Sequence, residues 1–384
     1  MSTKKKIVIL TMHTSFGGIE RLVATLADML SQDYAVTIIA NYGNSSDEAF
    51  SYPKNVSIKY LLPKLPEIIS LKKLLKQKNP GAIIREFNRR HKLNSARRHA
   101  LKNALKDLDT DIIITERAFY SSAVNKYCKN QDILKIATDH NHHQSNKKYI
   151  KELISSVRNF DSLVVATPEL RDFYKTKIKD TKCVLIPNPL SHIPTKKTTF
   201  ANRNLISAGR LSPEKGFIDL INVMETVQDE LPETKLFLLG DGPEKSAIQT
   251  EIKRLNLEKS IVMPGFVRHE DIAPYFYDSS LFILTSHTEA FGLVLTEAMS
   301  YGLPCVAFDS ASGARAQITP QTGVLIKDRN QDKMAHAIID LLRSPQTLKT
   351  YQKQIAKNIN AFSKSVVLQD WKKILESQKL HISF

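Results

Sequence analysis

The constraint that weighs most on this chain is an alternation that runs through it twice. Short apolar runs rich in β-branched residues alternate with longer stretches of helical period, the grammar of parallel strands joined by covering helices. In the first half the runs are KIVILTMHT (6–14), AVTIIA (35–40), DIIIT (111–115), ILKIATDH (133–140), SLVVAT (162–167) and CVLIPN (183–188). A glycine turn and the helix-like IERLVATLADML separate the first two. Residues 187–203, PNPLSHIPTKKTTFANR, break the rhythm with three prolines and a polar stretch, and read as a linker. The alternation then restarts with NLISAG (204–209), KLFLLG (235–240), IVMPGF (261–266), LFILTS (281–286), PCVAFD (304–309) and GVLI (323–326). The pattern predicts an α/β chain of two doubly wound domains, 1–187 and 188–363, followed by a last helix in SKSVVLQDWKKILESQ, within 364–384.

Length agrees, since 384 residues suit two domains of roughly 150–200 each. With 42% hydrophobic and 24% charged residues, the composition excludes disordered and fibrous classes. No window reaches the ~20 apolar residues of a spanning helix. The start, MSTKKKIVILTMHT, is basic, but IVIL is too short for a signal peptide's apolar region and no small-residue cleavage site follows. It is expected as the first strand. Cys128, Cys183 and Cys305 are dispersed and odd in number, which suits neither a zinc site nor a disulfide frame and fits a reducing cytosol. The net charge of +16 is concentrated: Lys64 to Lys106 holds thirteen Lys/Arg against Glu67 and Glu86. There REFNRRHKLNSARRHALKNALKDL looks helical, with basic residues interleaved with Ile84, Phe87, Leu93, Ala96, Leu101 and Leu105. The plain reading is a solvated helix face. The sharper one is an anionic membrane leaflet, which offers about 1 kcal/mol per Lys/Arg. Nucleic acid has weaker support, because no recognised motif or aromatic stacking pattern accompanies the charge.

In open parallel sheets, ligands bind beyond the carboxyl ends of the strands. Four strand–turn–helix stretches fall there. In SHTEAFGLVLTEAM, Glu289 and Glu297 stand eight positions apart, with Gly292 between them permitting a tight approach. The first amides of the helix that follows, at Phe291, Gly292 and Leu293, lack intrahelical partners and suit sugar or phosphate oxygens. Glu297, one turn in, could accept from a vicinal diol such as a ribose. Plain dipole stabilisation and a solvated loop acid are the bland readings of the two. GRLSPEKG (209–216) puts Arg210 and Lys215 at a helix start, where they suit a diphosphate or read as ordinary surface cations. In SFGGIERL, Gly17 and Gly18 open the first helix without the GxGxxG of dinucleotide binders. In TDHNHH (138–143), His140 and His143 lack a Glu or Cys at ligand spacing and no HExxH occurs. A single His140 meeting a substrate hydroxyl fits better than a metal. Asp109 and Asp111 of DTD precede their strand, on the wrong edge for a metal-binding pair. GxSxG, Cys-His and P-loop signatures are absent.

GRLSPEKG, GDGP, GFV and EAFGLVLTEAMSYGLPCVAFD, in that order and spacing, resemble the retaining glycosyltransferases of family 4, which have the GT-B fold of two Rossmann-like domains facing across a cleft. The resemblance covers the second domain closely, is supported by the strand–GG–helix start of the first, and is weak between residues 40 and 130. It implies a nucleotide-sugar donor, with UDP the first nucleotide to expect, held mainly by the second domain, while the first binds the acceptor and the last helix packs back on it. Arg210 and Lys215 would bind the diphosphate, Glu297 the ribose and Glu289 the donor sugar. The amides of Phe291, Gly292 and Leu293 would contact sugar and phosphate. Phe266 and Val267 would frame the base, Gly17 and Gly18 would border the phosphate and acceptor, and His140 would approach the sugar. Ala290 stands where the family commonly has glycine, and a methyl beside the sugar pocket could alter donor preference or leave it unchanged.

The expected activity is hexosyl or N-acetylhexosaminyl transfer with retention and without metal or other cofactor, from a UDP-sugar to a glycan or lipid-linked glycan acceptor in bacterial surface-polysaccharide assembly. The expected place is the cytoplasm, at the inner face of the cell membrane through the Lys64–Lys106 region. The rivals are a sugar-nucleotide epimerase of the same fold and a non-catalytic protein that binds membrane or nucleic acid.

Overall fold

The computed structural model describes residues 4–63, 74, 80–142 and 147–377. Two all-parallel sheets carry the chain. The first holds β1 (Lys6–Thr11), β2 (Ala35–Tyr42), β3 (Ser57–Leu62), β4 (Ile112–Thr115), β5 (Leu134–Asp139), β6 (Ser162–Val165) and β7 (Lys182–Leu185) in the order β3-β2-β1-β4-β5-β6-β7. The second holds β8 (Asn204–Ala208), β9 (Leu236–Leu239), β10 (Ile261–Gly265), β11 (Ser279–Leu284), β12 (Cys305–Phe308) and β13 (Gly323–Ile326) in the order β10-β9-β8-β11-β12-β13. Each order reverses once, at β1/β4 and at β8/β11. A crevice opens at such a reversal beyond the carboxyl ends of the strands.

Alternate residues of each strand serve opposite cores, as burial on both faces of a parallel sheet requires. Ile7 and Ile9 join one apolar cluster of the first domain, while Val8 and Leu10 join the other. In β11, Leu281 and Ile283 face one core of the second domain and Phe282 and Leu284 the other. This explains why the strands read as unbroken apolar runs. β3, SIKYLL, is an exception that the sequence reading did not pick out. It is an edge strand with every residue at least partly exposed, so it lacks the apolar run that marks its neighbours.

The linker has no regular structure but is seated on the second domain. Leu190 is buried there, and Thr198 donates to the carbonyl of Ser279 at 2.7 Å. The helix Pro345–Asn358 still belongs to the second domain, through Leu348 and Ile355. The helix Lys364–Leu375 crosses to the first domain, where Val367, Leu368, Trp371, Ile374 and Leu375 complete a core cluster. Lys372 pairs with Asp33 at 2.9 Å, and Lys364 pairs with Asp28.

The basic helix runs Pro80–Lys106 and buries only Glu86, Leu101 and Leu105. Ile84 and Phe87 are 60% and 64% exposed. Apart from Leu74, residues 64–79 of the basic stretch lie outside the described residues. Among the described residues, no helix is long and apolar enough to cross a membrane.

Candidate active site

The second domain's side of the crevice is built from the loops after β8 and β11. After β8 the chain passes exposed Arg210 and a short turn, Pro213–Lys215, before Gly216 opens a helix at φ +64°. A Cβ on Gly216 would lie 2.4 Å from the carbonyl oxygen of Thr285, so a side chain there would drive the two loops apart. Lys215 Nζ donates to Glu289 Oε2 at 2.6 Å, and Ser286 Oγ reaches the same oxygen at 3.4 Å. The cation and the acid picked from separate motifs are thus one ion pair.

Arg329, just past β13, holds this junction from behind. It donates to the carbonyls of Thr285 at 2.9 Å and Ser286 at 3.1 Å, pairs with Asp219, and lies over the Phe308 ring. No motif marks it in the sequence. Gly292, at φ +79°, caps the helix Leu293–Ser300, whose first amides lack helical partners. The Gln317 side-chain amide holds the Phe291 carbonyl, and Gly313 N donates to the Glu289 carbonyl at 3.1 Å. The loop from Glu289 to Gly292 is therefore fixed at both ends. Ala290 belongs to the apolar cluster of the first domain, so its methyl helps join the two domains.

Glu297 is 6% exposed and meets groups from elsewhere. Its Oε1 pairs with Arg21, from the first domain's opening helix Gly18–Leu30, and lies 3.4 Å from His269 Nδ1. His269 Nε2 in turn meets Ser191 Oγ of the linker at 3.1 Å. Burial, then the Arg21 charge, lowers the pKa of His269 below its ordinary value, which favours the neutral ring. Phe266 is 55% exposed and meets Phe16 of the first domain edge-on, with ring centroids 4.7 Å apart, while Val267 packs into its own core.

On the first domain's side, the two glycines after β1 have different reasons. A Cβ on Gly17 would lie 2.0 Å from Glu20 Oε2, because the buried Glu20 carboxylate folds back over the turn. Arg117 holds Glu20 Oε1 at 3.3 Å. Gly18 has nothing within 4 Å of its Cβ position, so open space lies there. His140 Nε2 meets Glu116 Oε2, which also accepts from Thr138 Oγ1 at 2.8 Å. Glu116 is 2% exposed and follows β4 at the reversal point. Its signal in the sequence was an acid straight after the strand IIIT. Asp139 is buried and its pKa is raised by desolvation, against hydrogen bonds from Tyr174 at 2.6 Å and the Asn141 amide at 3.1 Å; Tyr149 also donates to it at 3.2 Å. His143 lies outside the described residues. Among those described, no group of three or more His, Cys, Asp or Glu could hold a metal ion. Asp109 and Asp111 sit at the opposite sheet edge, where Asp111 accepts from the Lys6 amide at 2.7 Å and Asp109 pairs with the Lys6 ammonium.

The structure thus brings together Lys215 with Glu289, Glu297 with Arg21, and Phe266 with Phe16. It leaves Arg210 exposed on its loop and His140 in a polar corner of the first domain. Chemically, the second domain offers two cations, free helix amides and two carboxylates along one edge. That set matches a ligand with anionic oxygens in the middle and hydroxyls at each end.

Two family models match, end to end: "Glycosyltransferase Family 4" over residues 16–192 and "Glycosyl transferases group 1" over residues 196–360. An uncharacterised glycosyltransferase of Haemophilus influenzae is 27% identical over 379 residues, covering 97% of this chain and 100% of its own. A Campylobacter jejuni 4-α-N-acetylgalactosaminyltransferase, named for an acceptor on diphospho-undecaprenol, is 26% identical over 388 residues, covering 97% of this chain and 99% of its own. Staphylococcus aureus TarM, solved with fondaparinux, α-GlcNAc-glycerol and UDP, superposes with a TM-score of 0.79 at 17% identity, over 97% of this chain and 100% of that one. The chain belongs to the family 4 glycosyltransferases and has their GT-B fold.

Proposed function

We propose that the enzyme transfers a hexosyl or N-acetylhexosaminyl group from a nucleoside diphosphate sugar, UDP-sugar first, to a glycan or lipid-linked glycan, retaining the anomeric configuration and needing no metal. The observation that carries the reading is the Lys215–Glu289 pair at 2.6 Å, which joins the two switch-point loops of the second domain. A diphosphate entering beside Arg210 would draw the Lys215 ammonium to itself and free Glu289 for the sugar's hydroxyls. Glu297 accepts from the ribose, and the Phe291, Gly292 and Leu293 amides contact sugar and phosphate. Phe266 and Val267 frame the base. Gly18 leaves room for the phosphate, Gly17 lets the turn form, and His140 approaches the sugar from the first domain.

In the transfer step the bond from the anomeric carbon to the β-phosphate oxygen breaks, and Arg210, Lys215 and the helix amides stabilise the departing charge. The acceptor hydroxyl attacks from the same face and passes its proton to the departing phosphate oxygen. Glu289 is not a nucleophile in this scheme, in contrast to retaining glycosidases. Closure of the cleft excludes water and favours transfer over hydrolysis.

The acceptor reading draws support from the Campylobacter relative's diphospho-undecaprenol acceptor, and the donor reading from the UDP bound in TarM. The exposed Ile84 and Phe87 on the basic helix suit a cytoplasmic enzyme resting on an anionic leaflet. The test is a panel of nucleotide sugars with and without EDTA, using lipid-linked acceptors, with the anomeric proton followed by NMR. Product with the donor's anomeric configuration, unaffected by EDTA, is expected. An inverted product or loss with EDTA contradicts the mechanism.

A further inference from the structure

The ribose carboxylate of the proposed donor site is held from both domains. Glu297 lies on a helix of the second domain, and its side chain is 8% exposed. A carboxylate so removed from water is oriented by the groups that pair with it. The pairing comes through one oxygen: Arg21 of the first domain meets Oε1, and His269 Nδ1 lies 3.4 Å from that atom. Both contacts fall on Oε1. Arg21 also approaches His269 Nε2 at 3.4 Å and Ser191 Oγ at 3.5 Å, so its guanidinium bridges the first domain, the linker and the second domain.

Resting on the reading of Glu297 as the ribose acceptor, we propose that Arg21 is a positioning residue for the donor. It fixes Oε1 so that the carboxylate presents Oε2 to the ribose diol, and it does so only when the domains are closed. Phe16, five residues earlier and edge-on to Phe266 at 4.7 Å, closes the base end of the same pocket from the same segment of the first domain. Nucleoside recognition is thereby shared between the domains and tied to closure.

The experiment is calorimetric titration of wild type, Arg21→Met, Arg21→Lys and Glu297→Ala with UDP and with 2′-deoxy-UDP, each variant first checked by thermal melting. Wild type is expected to prefer UDP by roughly ten- to hundredfold, the range set by a hydrogen bond to a charged group. Both Arg21→Met and Glu297→Ala are expected to lose most of that preference, and Arg21→Lys to regain part of it. A merely structural role for Arg21 would weaken both nucleotides alike. Preference lost in Glu297→Ala but kept in Arg21→Met overturns the positioning role alone. Preference kept in Glu297→Ala overturns the ribose assignment, and the inference with it.

Discussion

Lys215 and Glu289 show how far single residues can be read. Each was picked by its place after an apolar strand, and the structure joins them at 2.6 Å. What the sequence could not give is their mutual neutralisation, because contact between two loops depends on how the strands are ordered. Arg329 and Glu116 escaped for the same reason: their roles come from neighbours far along the chain. Lys215→Ala is expected to lower turnover by about 10²–10³, as for loss of a charge-stabilising donor. The pair is partly solvated, so the cost in stability should stay near 1 kcal/mol. Steady-state kinetics beside thermal melting checks both. Gly18→Ala makes a different expectation. Its Cβ meets nothing within 4 Å, so stability should hold or rise by about 0.4–1 kcal/mol while donor KM rises. A fall in melting temperature with unchanged kinetics would assign the glycine to the turn alone.

At the scale of elements, the strands with unbroken apolar runs were legible because both faces of each sheet are covered. The half-exposed edge strand β3 was not, since pairing along one side leaves no apolar run to read. The last helix shows the same limit. Its existence follows from its period, but its destination follows from the face that Trp371 and Leu375 present to the first domain's core. Trp371 is 4% exposed, so Trp371→Ala should cost about 3–5 kcal/mol and lower the first domain's unfolding midpoint. Urea denaturation followed by circular dichroism would measure it. A loss below about 1 kcal/mol would mean that the helix is an accessory rather than part of that core.

Across the whole molecule, the two domains meet through charged clasps as well as apolar contact. Arg315 of the second domain grips Glu169 of the first by both oxygens, at 2.8 and 3.0 Å, and also meets Asp309 at 2.9 Å. With Arg21 on Glu297 and Ala290 in the first domain's cluster, these contacts join the two domains across the crevice. Arg315→Ala should raise the radius of gyration in small-angle scattering without nucleotide, and saturating nucleoside diphosphate should reverse the rise. An unchanged radius would place the closing force elsewhere. In the proposed function, the second domain's switch-point edge grips a nucleoside diphosphate. Its most direct measurement is calorimetric titration of UDP, GDP, ADP and CDP into wild type and Lys215→Ala. Saturable binding at one site is expected, UDP foremost, weakened at least tenfold in the variant. Binding of none of the four, or binding indifferent to Lys215, would contradict it.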